Sequence, residues 1–418
     1  MKFNINIRKR TQVRNHEGAT AYALTPQLEL YTRVVTSTLS EKFYEGAQDN
    51  LQRIRELIAQ NDPVFVAQLA IYARERMHLR GVPLVLVVEL AKLARGNTVV
   101  SKVTGRVVQR ADEITELLAY YELANGRSGT KRLNKLSKQV QKGLAEAFNR
   151  FDEYQFAKYD RDGAIKLKDA LFLVHPKAKD AAQQVLFDKI ARDTLEVPYT
   201  WEVELSRLGQ VGYDSDAAKQ RAFTAKWEEL VERNALGYMA LLRNLRNILQ
   251  AEVGYASIQK VCAKLADAEQ VKRSKQLPFR FLSAYRELAA VRSADTGRVL
   301  EALEQAVLQS AANIKGFDEH TSLVVACDVS ASMQKSVSAK SKVQLFDVGL
   351  VLGMLLQSRC ERVIAGMFGD TWKTISVPKR SVLANAMEFR KREGEVGYST
   401  NGHLVVQDLI DRRKVVDK

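Results

Sequence analysis

The sequence predicts a mainly α-helical protein that turns, in its final quarter, into an open α/β segment. Three observations carry this. Only seven prolines interrupt the chain, so long stretches run without a helix breaker. From about residue 47 to 315, amphipathic helix signals follow one another over short connections. After about residue 316, β-branched runs begin to alternate with helix signals.

The helical signals come in order. AQDNLQRIRELIAQ places Leu51, Ile54, Leu57 and Ile58 on one face, the spacing of an amphipathic helix. Asp62-Pro63 supplies an N-cap followed by proline at the first helical position. Gly81-Val82-Pro83 repeats the device, and the helix after it stops near Gly96. Further helices read as 114–123, 133–148, 181–191, 221–234, 236–249, 258–268, 279–290 and 299–312. Short connections between paired amphipathic helices suggest an α-solenoid of HEAT-like pairs. No strict period is present, and a compact irregular helical domain fits the same pattern.

The α/β part opens on Thr321–Cys327, a β-branched run with the length of a buried strand. A helix over 343–359, strands near 362–368 and 372–377, and helices near 382–391 and 403–412 follow. Strand and helix alternating in this way predict a doubly wound α/β fold. The expected domains are therefore 1–315 and 316–418, with the boundary near Asn313–Asp318.

Charge narrows the function. The chain carries +15, with 15 basic and 12 acidic residues in 316–418, so the first 315 residues hold +12 of it. Such an excess suits a polyanion, because neutralised phosphates release counterions, and it equally fits a merely basic soluble protein. Cys262, Cys327 and Cys360 have neither pairing nor metal-ligand spacing, as expected of reduced thiols in a cytosolic protein. The N-terminus MKFNINIRKRTQ lacks an apolar signal core, and no apolar stretch is long enough to span a membrane. The expected location is the cytoplasm.

At the end of the first strand of the α/β segment stands Asp328-Val-Ser330-Ala-Ser332. A hard divalent cation such as Mg²⁺ takes oxygen ligands and keeps some waters, and one carboxylate with two hydroxyls can supply part of that shell. Open α/β sheets bind ligands just beyond the carboxyl ends of their strands, where this loop falls. The bland reading is an Asp/Ser turn capping the next helix. The motif resembles the metal-ion-dependent adhesion site of the von Willebrand A domain, which begins with D-x-S-x-S. That family adds a threonine from a second loop, matched here by Thr400, and an aspartate from a third loop, which has no match. Asp370 follows a different strand and does not fill the role. The chain stops at Val415-Val-Asp-Lys418, about where the strand carrying that aspartate is expected. The expectation is a truncated form with a weak site, its Leu323–Ala326 run lying on an open sheet edge.

The helical part has its own resemblance. Lys158-Tyr159, Ile165-Lys-Leu-Lys168-Asp169-Ala-Leu-Phe-Leu-Val-His175-Pro-Lys177, Gly237-Tyr-Met-Ala-Leu-Leu-Arg243-Asn244-Leu245, Asn15-His-Glu17-Gly18 and Pro278–Arg286 fall in one order along the chain. Together they resemble the TROVE module of the Ro (SS-A) RNA-binding proteins, the bacterial members most closely. The resemblance implies a ring of helical repeats that binds small structured Y-like RNA on its outer surface. It also implies capture of single-stranded 3′ ends of defective noncoding RNA, in partnership with a 3′-to-5′ exoribonuclease. By matching positions, Lys168, His175 and Lys177 are the RNA-contact candidates, with Lys158 and Lys166 alongside. Some animal members have arginine where this chain has Phe172, so base stacking or a core role replaces a phosphate contact there.

The residues point the same way unaided. Lys166 and Lys168 enter a helix that packs through Leu171, Phe172 and Val174, and His175-Pro-Lys177-Ala-Lys179 then supplies two cations and an imidazole able to stack. Arg127, Lys131, Arg132, Lys135 and Lys138 form a second basic run, and Arg74, Arg76 and Arg80 a third. Most such runs are solvated faces, and a lone histidine is more often a cap than a ligand. No P-loop, zinc-protease motif or acidic two-metal cluster is present, so an enzyme is not expected. The leading expectation is an RNA-binding scaffold in RNA quality control or processing. The alternative is a protein-interaction adaptor that works through its metal loop without RNA.

Overall fold

The computed structural model describes residues 11–14, 18, 20–37, 47–126, 136–160, 163–314, 316–337 and 341–418. Two compact units divide the chain, Met1–Pro198 and Tyr199–Lys418.

In the first unit, β1 (Gln12–Arg14) and β2 (Thr20–Tyr22) pair antiparallel, with Val13 opposite Ala21. Among the described residues ten helices follow: α1 (Pro26–Thr36), α2 (Ala47–Ala59), α3 (Pro63–Glu75), α4 (Gly81–Leu93), α5 (Val99–Val107), α6 (Asp112–Ala124), α7 (Lys138–Phe148), α8 (Glu153–Tyr159), α9 (Leu167–Val174) and α10 (Ala181–Ala191). The sequence sets their ends. Asp62 Oδ1 accepts from the backbone N–H groups of Val64 and Phe65 while Pro63 occupies the first helical position, so α3 starts where orphan donors find a partner. Helices α5 and α7 cross where Gly143 meets Thr104; a Cβ there would lie 2.6 Å from Ser101 O, so only glycine permits the approach. One core runs through the unit, from Leu30 and Val34 to Phe187 and Ile190.

Of the basic run at and after the end of α3, Arg74 turns inward, Arg80 joins the same acidic cluster and Arg76 is exposed. Arg74 is buried and donates to Glu113 at 2.7 Å and to Val107 O at 3.1 Å. Arg80 reaches Asp112 at 3.0 Å, Glu116 at 3.2 Å and Glu113 at 3.3 Å. Glu113 is fully buried and also accepts from the N–H groups of Gln109 and Arg110. This network satisfies a buried carboxylate and removes Arg74 from the surface candidates, while Arg80 keeps 41% of its side chain exposed.

The second unit begins with α11 (Trp201–Gln210), α12 (Asp216–Glu232), α13 (Tyr238–Gln250), α14 (Tyr255–Ala266), α15 (Ala268–Ser274), α16 (Pro278–Ala289) and α17 (Thr296–Ser310). It continues with β3 (Ser322–Asp328), α18 (Leu345–Arg359), β4 (Arg362–Phe368), β5 (Trp372–Thr374), α19 (Val382–Lys391) and α20 (His403–Asp411). The sheet order is β3-β4-β5, with β3 and β4 parallel and β5 antiparallel to β4. A single core joins Val299, Leu303 and Val307 of α17 to Val325 of β3 and Leu350 and Met354 of α18. The change at residue 316 is therefore one of secondary structure and not a break in packing. Asp347, fully buried in the first turn of α18, seals the junction. It accepts from Arg286 of α16 at 2.8 and 2.5 Å and from Arg390 of α19 at 2.7 Å.

The outer side of β3 is partly covered, which corrects the expectation of a wholly open edge. Val324 donates to Lys418 O at 2.9 Å, and Asp417 donates to Ser322 O at 3.0 Å. The Asp417 carboxylate accepts from the N–H and hydroxyl of Ser322 at 2.8 and 2.6 Å. Ala326, further along the same edge, is exposed. No helix among the described residues is long and apolar enough to cross a membrane.

Candidate nucleic-acid interface

The α8–α10 region rests on an aromatic core. Phe148 and Phe156 stack at 5.8 Å between centroids, and Phe187 and Phe151 meet them edge-on at 6.0 and 5.7 Å. Phe148 and Phe156 are fully buried, worth roughly 2–3 kcal/mol each, so the surface above them is firmly placed. Asp152 and Gln155 form a capping box that starts α8, and Asp169 Oδ2 accepts from Lys166 N at 3.4 Å at the start of α9.

Helix α9 ends on His175, whose φ of 49° lies in the left-handed region. That turn throws the His175-Pro-Lys-Ala-Lys179 segment back across α7, which fastens it. Gln141 of α7 donates to Leu173 O and Val174 O at 3.1 and 3.2 Å. Asn149, just past α7, donates to Lys177 O at 2.8 Å and accepts from Lys179 N at 2.9 Å. With Lys177 O and Lys179 N held in this way, the segment exposes the side chains of His175 and Lys177. Phe172, on the last turn of α9, is 53% exposed, which removes a core role and leaves the ring open to stack.

The other sequence candidates fall into three groups. Lys166 is exposed at the head of α9, and Lys168 on the same helix pairs with Asp193 at 2.6 Å on an exposed surface. Lys158 is half-buried and lies against the rings of Tyr154 and Tyr159, 5.5 and 5.8 Å from their centroids. Arg110 covers Tyr159 at 4.3 Å, so cations and rings alternate along this face. Arg127, Lys131, Arg132 and Lys135 lie outside the described residues.

The metal-loop candidates lie at the carboxyl end of β3. Ser330 N donates to Asp328 Oδ1 at 2.8 Å, and the Ser330 and Ser332 hydroxyls are 3.2 Å apart. Ser330 is buried. The Thr400 loop is joined to this one through Ala331 N and Tyr398 O at 3.1 Å, while Thr400 itself is exposed. Asp370 orders that second loop. Its carboxylate accepts from Ser399 N at 2.9 Å, and the Ser399 hydroxyl, followed by that N–H, holds its pKa below the usual range. Gly397, with φ of 73°, lies so close that a Cβ would sit 2.1 Å from the Asp370 carboxylate. Asp328, Ser330 and Ser332 thus make an oxygen-only set with one carboxylate, the chemistry a hard cation accepts. Among the described residues no group of three or more His, Cys, Asp or Glu side chains could hold a metal.

Sequence reading missed a basic groove in the second unit. Arg243 and Arg246 of α13, Arg280 of α16 and Lys342 line a cavity of about 550 Å³. The signal was there in the three-residue step from Arg243 to Arg246, but α16 and the segment before α18 meet α13 only in the fold.

A run of helices that presents one fastened basic loop, in one chain with an α/β sheet bearing a serine-aspartate loop, defines a mainly helical protein with an α/β sheet in its second unit. The TROVE domain profile matches residues 32–204 and 191–344. The chain belongs to the TROVE domain family. It is similar to the telomerase protein component 1 of Rattus norvegicus, 23% identical over an alignment 345 positions long that covers 63% of this chain and 13% of that protein. The Mus musculus protein of the same name is 22% identical over 62% of this chain and 12% of its own length. The chain thus spans about an eighth of the curated relatives it matches. Its fold is shared with the crystal structure of the Deinococcus radiodurans RO (RSR) protein, with a TM-score of 0.60 and 19% identity, covering 93% of this chain and 84% of that one.

Proposed function

We propose that this protein binds small structured, Y-like noncoding RNA and the single-stranded 3′ ends of defective RNAs, and that it acts as a non-catalytic scaffold in RNA quality control or processing. The observation that carries this reading is the fastened loop after α9. Lys168, His175 and Lys177 stand beside the exposed ring of Phe172 on a surface held by α7, and phosphate contact together with stacking is how loops and ends of RNA are recognised. Lys158 and Lys166 extend the surface. A 3′-to-5′ exoribonuclease is the proposed protein partner, and the cytoplasm the proposed location.

A divalent cation, Mg²⁺ by the donor chemistry, is proposed at Asp328, Ser330 and Ser332 with Thr400 from the second loop. When bound it would supply an electrophilic point for an acidic group of a partner. The chain's own residues orient the loop, through Ser330 N on Asp328 and Ala331 N on Tyr398 O.

The test is equilibrium binding of the purified chain to a structured hairpin RNA and to a single-stranded oligoribonucleotide over a salt series. Binding to both, falling steeply with salt, is expected. No affinity for either at low salt would refute the RNA reading and favour an adaptor working through its metal loop.

A further inference from the structure

The groove between α13 and α16 holds more charge than its shape requires. Arg243 and Arg246 lie one turn apart on α13, and Arg280, Ser283 and Glu287 form one stripe on α16. Lys342 closes the far side. The four cations face a single acid among the residues that line the 550 Å³ cavity. That acid is Glu287. Its Oε2 accepts from Arg246 at 2.8 Å and its Oε1 from Lys342 at 3.0 Å. Arg243 makes no hydrogen bond or ion pair among the described residues, and Arg280 lies over the Phe279 ring at 5.2 Å, its charge otherwise uncommitted. A second cavity of about 890 Å³ shares Arg246 and Glu287 and adds Arg292, but Glu252 and Asp295 also line it, so the excess of positive charge is confined to the first.

We infer that this groove is a second RNA track in which Glu287 stands where a backbone phosphate would sit, so that RNA enters by displacing the carboxylate from Arg246 and Lys342. Three features favour that role over a purely structural one. Lys342 is 86% exposed, and Glu287 and Arg246 are open enough that their bridges contribute little to folding. The carboxylate uses both oxygens on cations from different elements, as a phosphate bridging two cations does. The two arginines without an acidic partner, Arg243 and Arg280, line the same cavity as the paired cations, so the groove offers more positive charge than one ion pair would need. The carboxylate then sets a threshold. A full polyanion outcompetes it through several contacts at once, while a lone small anion does not.

This inference rests on the RNA-binding reading, and the experiment separates the two. Wild-type protein and the Glu287→Gln variant, each as the full chain, are titrated against a fluorescent oligouridylate over a salt series. Losing the competing charge should tighten binding about fivefold to tenfold and steepen the logarithmic salt dependence by about one. Adding Arg246→Ala or Lys342→Ala to Glu287→Gln should abolish the gain. If Glu287→Gln leaves affinity unchanged or lowers it while wild type binds normally, the inference is overturned and the RNA reading stands. If neither protein binds the probe, both are overturned. Melting curves guard against a folding artefact, and a large loss of melting temperature with unchanged affinity would assign Glu287 a structural role instead.

Discussion

Combining Lys168→Ala, His175→Gly and Lys177→Ala should remove much of the RNA affinity and almost none of the stability. The choice at residue 175 matters. His175 holds φ at 49°, a region that costs a residue with a Cβ about 1–2 kcal/mol, so alanine would confound binding with strain. Glycine relieves that cost while adding about 0.5–1 kcal/mol of chain entropy, for a net change near zero. Lys168 loses only an exposed bridge to Asp193, worth at most about 1 kcal/mol, and Lys177 is exposed. The predicted change in melting temperature is within about 4 °C for a unit of this size. Binding should suffer far more. Two lost phosphate contacts flatten the logarithmic salt slope by about 1.5, and with a lost stacking partner the affinity falls roughly a hundredfold at moderate salt. Fluorescence anisotropy with a labelled hairpin RNA over a salt series, beside circular dichroism melts, measures both. Unchanged affinity and slope would refute the assignment, and so would a stability loss as large as the binding loss.

Two further outcomes are expected. Asp347→Ala should cost about 3 kcal/mol, because Arg286 and Arg390 lose the carboxylate that neutralises them in the core, and a drop under about 1 kcal/mol in a denaturant titration would contradict this. Burial alone would raise the Asp347 pKa, but the Arg286 guanidinium overrides it and the pKa is lowered. The stabilisation is therefore present above the unfolded carboxyl pKa and lost as pH falls through the lower, folded one, which acid unfolding of wild type against Asp347→Asn would display. Calorimetry should find weak Mg²⁺ binding, about millimolar, for a set with one carboxylate, and Asp328→Ala should remove the heat. Heat that survives that substitution would place the cation elsewhere.

The helices were legible wherever an apolar stripe met a cap. Asp62-Pro63 opens α3 as expected, and the strand at Arg362–Phe368 and the helix at Val382–Lys391 fall where the pattern put them. Helices α5 and α11 escaped, because the N-cap of α5 makes no side-chain hydrogen bond and the helix is rich in β-branched residues, while α11 buries only Glu204. A strand near 372–377 was expected and is present as β5, but its antiparallel direction was not foreseen, although the short connection after Phe368 leaves room only for a hairpin. At the site, residue chemistry picked out Lys168, His175 and Lys177 but could not say that Gln141 and Asn149, some thirty residues earlier, hold their loop. Arg74 and Arg80 show the reverse failure. A basic run looks the same whether it meets solvent or a buried glutamate, and Glu113 is distant in sequence.

The clamp that α7 places on the loop after α9 also bears on how fast and at what entropic cost RNA is held. Four hydrogen bonds from Gln141 and Asn149 fix the path of the chain before any ligand arrives. A binding surface ordered in advance spares the complex the cost of freezing a loop, so the ordering entropy falls on the RNA strand alone. Encounter then requires no slow rearrangement of the protein, and differences in affinity among RNAs should be written in their residence times more than in their rates of arrival.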